Sequence, residues 1–157
     1  MTEPAYAPLI EASIDIAAPP ERVWSVISDP RVMGGFSDQV VRTVVRGTAP
    51  VAKGTRTLNI NRRGVLVWPT RAKVIEFEPN RRYAYRVKDN AAIWSFDLEP
   101  TATGTRLTHR RDASKGLTDV SLMLQQKVLG GVAHFEAEME AGMTRTLERL
   151  KQAVEAG

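Results

Sequence analysis

Cysteine is absent from the 157 residues, and histidine occurs only twice. The first absence excludes a disulfide framework and thiolate chemistry, and it fits a reducing cytoplasm, which is the expected location. A transition-metal site needs several His, Cys or carboxylate ligands at suitable spacing, so two distant histidines argue against one. The glycines form no nucleotide-phosphate motif, since Gly130-Gly131 lacks the lysine and the strand-to-helix context. The serines sit in no nucleophile-elbow pattern. No cofactor is therefore expected. The opening MTEPAYAPLIEASIDIA has neither a basic start nor an unbroken apolar segment, so neither a secretion signal nor a membrane span is read there.

What is present suits one globular domain over residues 1–157, with 1–8 as a flexible arm: 43% of residues are hydrophobic and 25% charged. The net charge of +4 raises the question of a nucleic-acid partner. The basic residues are spread over many segments, usually beside acidic ones, and no recognition-helix or RNA-strand motif accompanies them, so no nucleic acid is expected.

The longest helical pattern runs from Leu117 to about Ala156. Val128, Gly131, Phe135, Met139, Gly142, Met143, Thr146, Leu150 and Val154 recur in steps that keep one stripe on one face. Glu136, Glu140, Arg145, Glu148 and Arg149 fall on the others, which defines an amphipathic helix lying on something apolar. About forty residues at 1.5 Å each would span roughly 60 Å, too long for a small domain. Gly130-Gly131 is the expected break, with a short leading piece before it and a main helix from about Val132 to Ala153. A leucine at Gly131 is expected to fill a cavity mouth or push the helix outward.

Upstream, Ile10, Ala12, Ile14 and Ile16 alternate with Glu11, Ser13 and Asp15, as in a half-buried strand. Pro20 can open a short helix with Val23, Trp24 and Ile27 inward, and Asp29-Pro30 ends it. A second short helix or turn follows through Arg31-Val32-Met33 to a flexible Gly34-Gly35-Phe36. Strands are then expected at about Gln39 to Arg46, Gly54 to Arg63, Val65 to Phe77, Arg82 to Lys88, Ala91 to Glu99 and Thr105 to Asp112. The short turns between them make consecutive strands antiparallel neighbours. The fold class is α+β, a curved antiparallel sheet of about seven strands whose apolar face only the long C-terminal helix can cover.

From Leu9 onward the chain resembles the helix-grip superfamily of START lipid-transfer domains, pollen-allergen-like proteins and polyketide cyclase/dehydrases. The resemblance is carried by IEASIDIAAPPERVWSVISDP, VIEFEPNRRYAYRV, WSFDLEPTATGTRLT and the long final helix. It implies a sheet gripping the C-terminal helix with a ligand cavity between them. Gly34-Gly35-Phe36-Ser37-Asp38 departs from the bulkier aromatic and proline residues common there in relatives, at the mouth of that cavity.

Period-two alternation selects the cavity-facing residues. Trp94 and Phe96 share a strand face, as do Tyr83 and Tyr85, and Phe135 and Met139 face them from the helix. Leu107 belongs inside and carries His109 and Arg111 inward with it; the alternative, with both at a solvated strand end, stays open. Leu58 and Ile60 argue that their face is inward and that Asn59 and Asn61 face water, unless a bulge shifts the register. Trp68 precedes Pro69, so its direction is not set. His134 and Glu138 are one turn apart and read as a partly exposed helical pair rather than a functional dyad.

Two function classes fit these residues. One is a binding module that encloses a hydrophobic or amphipathic small molecule of lipid, polyketide or isoprenoid type, with His109 or Arg111 fixing its polar end. The other is a cyclase- or dehydratase-like enzyme with His109 as general acid or base. A third, weaker alternative is a protein-interaction domain. The first is favoured because it needs only the cavity.

Overall fold

The computed structural model describes residues 7–114 and 130–157, together with Thr118, Met123 and Gln126. The leading helical piece expected before Gly130 otherwise lies outside the described residues. Strand β1 (Leu9–Ile16) is followed by helix α1 (Pro20–Ile27), a 3-10 turn (Pro30–Val32) and the single helical turn α2 (Met33–Phe36). Strands β2 (Val40–Val45), β3 (Arg56–Arg63), β4 (Leu66–Glu78), β5 (Arg82–Val87), β6 (Ile93–Thr101) and β7 (Gly104–Asp112) precede helix α3 (Val132–Ala156). All seven strands form one antiparallel sheet in the order β1-β7-β6-β5-β4-β3-β2. The expected flexible Gly34-Gly35-Phe36 is instead part of α2.

Local sequence accounts for these elements. Pro20 starts α1, where its missing N–H costs nothing, and the Asp29 side chain accepts a hydrogen bond from the Arg31 N–H to open the 3-10 turn. The β6–β7 hairpin closes on Gly104, where a Cβ would lie 2.1 Å from the Ile16 carbonyl oxygen. Only glycine fits that approach. The adjacent Thr105, fully buried, donates its hydroxyl to the Ala18 carbonyl at 2.7 Å and ties the hairpin to the corner between β1 and α1.

Pro69 lies inside β4 without a bulge at that point. There β4 pairs only with β3, because pairing to β5 begins at Ala72. Pro69 thus occupies a locally unpaired edge, where a proline is tolerated. The bulge in β4 falls later, between Val74 and Glu76.

The core joins the concave face of the sheet to α1 and the C-terminal half of α3. Ile16, Val23, Ile27, Val74, Phe96, Leu107, Leu147, Leu150 and Val154 pack there with almost no exposure. Each such side chain contributes about 1.5–3 kcal/mol by leaving water. The N-terminal half of α3 stands over β3 to β7 without closing onto them, and a cavity remains.

The convex face is divided. Across β1, β7, β6, β5 and β4 runs a chain of charges of alternating sign. Arg110 donates to Glu11 and to Asp97 at 2.7 Å each, and Arg82 donates to Asp97 at 2.8 Å and to Glu76. Over β2, β3 and the adjoining parts of β4 and β5 the face is basic, with Arg56, Lys73 and Arg86 side by side through the register.

Candidate ligand cavity

The cavity between sheet and helix has a volume of about 820 Å³. Phe135, Met139, Met143 and Thr146 of α3 line one side, and Tyr85, Trp94, His109 and Arg111 of β5 to β7 line the other. Asn59, Asn61, Trp68 and Thr70 of β3 and β4 complete the wall.

Of the residues that alternation assigns to the cavity, Tyr85, Trp94, His109, Arg111, Phe135 and Met139 line it. Tyr83, Phe96 and Leu107 share the concave face but do not reach it; they are buried in the core cluster beneath. Alternation identifies a face, and position along the strand then decides whether that face meets the core or the cavity.

The assignment of β3 is reversed. Asn61 is buried and lines the cavity with Asn59, whereas Leu58 and Ile60 lie on the convex face. No bulge in β3–β4 causes this. The inward polar groups are satisfied within the wall: Asn61 Nδ2 donates to the Trp68 carbonyl at 3.2 Å and to Thr70 Oγ1 at 3.0 Å, and Thr43 donates to Asn59 Oδ1 at 2.7 Å. Trp68, opposite Asn61 across the ladder, faces inward with it.

His109 is 4% exposed, and neither ring nitrogen has a hydrogen-bond partner among the described residues. Its ring stacks on Phe96 and lies 5.4 Å from the Trp94 ring. Burial in this aromatic setting lowers its pKa to about 3, so it is neutral imidazole at neutral pH, with one donor and one acceptor nitrogen. Burial also pushes the Tyr85 phenol above its ordinary range, so it stays protonated.

Arg111, 2% exposed, is also inward and not at a solvated strand end. It donates to Glu136 Oε2 at 3.3 Å, and the same carboxylate accepts from the Ala7 N–H at 2.8 Å. Glu136 therefore does not sit on the solvent face of α3, as the helical stripe suggested; it crosses to the sheet because a buried guanidinium needs a counter-charge.

Ion pairs centred on two carboxylates, Glu138 and Asp38, stand at the rim. Arg63 binds Glu138 in bidentate fashion at 2.8 and 2.9 Å, tying the β3–β4 hairpin to α3. Those bonds, chiefly from Arg63, hold the Glu138 carboxyl below its usual range, and His134 adds a contact at 2.8 Å. The pair His134–Glu138 is thus exposed as expected, but Glu138 serves the hairpin. Asp38 accepts from Arg145 at 2.5 Å and Arg149 at 2.7 Å; partial burial opposes its ionisation, yet the two guanidinium groups prevail and lower its pKa. Position 131 is not at the mouth: Gly131 does not line the cavity, and a Cβ there would meet nothing within 4 Å.

Among the described residues, no group of three histidine or carboxylate side chains could hold a metal ion, and no helix is long and apolar enough to cross a membrane. Residues 8–155 match the family described as polyketide cyclase / dehydrase and lipid transport. The chain belongs to that family, a small-molecule-binding group with the helix-grip fold.

A polyketide-cyclase-like protein from Corynebacterium glutamicum is 25% identical, with 94% of this chain and 91% of that one covered and a TM-score of 0.65. KanY is 17% identical, with 94% and 97% covered and a TM-score of 0.70. StfQ, a di-domain aromatase/cyclase of the steffimycin biosynthetic pathway, is 15% identical; 95% of this chain covers 50% of it, with a TM-score of 0.71. The latter two likenesses concern the fold alone. No curated protein matches the chain in sequence.

Proposed function

We propose that this protein binds a hydrophobic or amphipathic small molecule of lipid, polyketide or isoprenoid type in the cavity between sheet and α3. The observation that carries this reading is His109, buried in the cavity wall with neither ring nitrogen partnered among the described residues. An unsatisfied buried polar group costs about 1–3 kcal/mol, which a ligand hydroxyl or carbonyl would recover by shifting the wall enough to meet a ring nitrogen. Trp68, Trp94, Phe135 and Met139 offer apolar area to the ligand body, and a volume of about 820 Å³ is within the range of small-molecule sites.

The cyclase reading, in which the cavity folds a reactive chain while His109 moves a proton, is supported by the family and by the fold shared with StfQ. A general acid or base works best with a pKa near the operating pH. His109, held near 3, is a weak base at neutral pH and carries no proton to give as an imidazolium. This favours orientation over proton transfer. Native mass spectrometry of the freshly purified protein tests the reading: a co-purifying apolar molecule of defined mass is expected. A protein that carries none, and whose tryptophan fluorescence ignores every lipid-like and polyketide-like compound offered, would overturn it.

A further inference from the structure

The convex face of β2, β3 and the adjoining parts of β4 and β5 carries a concentration of positive charge. Cross-strand register places Arg56 directly opposite Lys73, and Lys73 directly opposite Arg86. Like charges facing each other across a sheet destabilise it. None of these three makes an ion pair among the described residues, and all are exposed. Arg42 and Arg62 extend the same face without a carboxylate partner among the described residues, Arg71 is paired with Asp89, and Arg82 at the far end of β5 belongs to the neutralised chain through Asp97 and Glu76. The other half of the convex face differs, since its arginines are neutralised by Glu11, Asp97 and Glu76.

Aliphatic side chains stand among these cations. Val44, Leu58, Ile60 and Val67 share the face through the register, and Val67 is 57% exposed. Beside them the β3–β4 hairpin projects Val65, which is 100% exposed, next to Arg62 and Arg63. The same hairpin forms part of the cavity rim through Arg62, Arg63 and Gly64.

We propose that this face docks on an anionic phospholipid bilayer. The cations suit lipid phosphates, and the aliphatic side chains suit the boundary between headgroups and acyl chains, where amphipathic surfaces settle. The face has no aromatic side chain on which a base could stack and presents no helix to a groove, so its chemistry fits lipid better than nucleic acid. Docking by the hairpin would set the cavity rim against the bilayer. The docking itself does not depend on what the cavity holds.

The test uses the full chain with vesicles of phosphatidylcholine alone and of phosphatidylcholine mixed with phosphatidylglycerol, read by co-sedimentation at low and physiological salt. Binding to the mixed vesicles alone, weaker at the higher salt, is expected. Each cation near such a surface contributes about 1 kcal/mol, a factor of about five, so Arg56→Gln/Lys73→Gln/Arg86→Gln should lower partitioning about a hundredfold. That variant should melt no lower than the parent, because it removes like-charge opposition. Val65→Ser/Val67→Ser should weaken binding while leaving its salt dependence unchanged. Equal binding to both vesicle types, or no loss in the triple variant, would overturn the proposal. So would indifference to vesicles, whether or not the protein shifts a duplex or single-stranded oligonucleotide in the same buffers.

Discussion

The His109 ring lies flat on Phe96, with ring centroids 4.1 Å apart and planes 9° from parallel. Phe96 belongs to the closed core and His109 to the cavity wall, so the stack marks the boundary between them. A protonated ring would have to form there without water, which is why burial dominates its titration.

This predicts an acid-labile fold. The folded state holds the His109 pKa near 3 and the unfolded chain near its ordinary value of 6.5, so between those values the unfolded state binds the extra proton. The stabilisation is fully present above about pH 6.5 and is lost as pH falls toward 3, at about 1.4 kcal/mol per pH unit. Urea unfolding from pH 7 to 4 should show that slope in the parent, reduced in His109→Gln. Parallel slopes would show that His109 is not buried in solution.

Substitution of the same residue separates orientation from proton transfer. Glutamine keeps a hydrogen-bonding group of similar reach, so affinity for any ligand found should fall by only about 0.5–1.5 kcal/mol. If His109 instead transferred a proton, turnover would drop by about 10² to 10⁴ with little change in binding. Calorimetry and product analysis on one compound distinguish these outcomes, and binding without turnover is expected.

Glu136 is expected to matter more than an apparent surface glutamate should. Glu136→Gln removes the charge that faces the buried Arg111, and the cost of breaking such a pair is about 3 kcal/mol. Glu140→Gln, on an exposed part of the same helix, should change stability by less than about 0.5 kcal/mol. Thermal melts of the two variants should differ clearly, and coincident curves would mean that the Arg111 charge is met by other groups.

At the start of α3, Gly131 has φ 97° and ψ 155°, a region that side chains beyond glycine rarely enter. Gly131→Ala should cost about 1–3 kcal/mol through the backbone alone, since its Cβ would meet nothing. Gly35→Ala, equally open but helical, should be neutral or stabilise by up to about 1 kcal/mol. Equal effects in a stability assay would point to packing instead.

The architecture was legible because its signals are local. Alternation in β1, the Pro20 start and Asp29-Pro30 stop of α1, and the stripe from Phe135 to Val154 each report short-range geometry that holds in the folded chain. The same alternation found His109 and Arg111, since Leu107 packs into a core that fixes the face of β7. It failed at Asn59 and Asn61 because the apolar face is the inner face only where another layer touches it. Over β3 the helix stands off, and polar side chains can point inward when Thr43, Thr70 and the Trp68 carbonyl satisfy them. Glu136 looked solvent-facing because its partner lies on another element, and the row Arg56, Lys73 and Arg86 was hidden because positions far apart in the chain meet only through register. Local chemistry thus determined which elements form, whereas the gap between helix and sheet decided what lines the cavity, and strand pairing decided where the charge gathers.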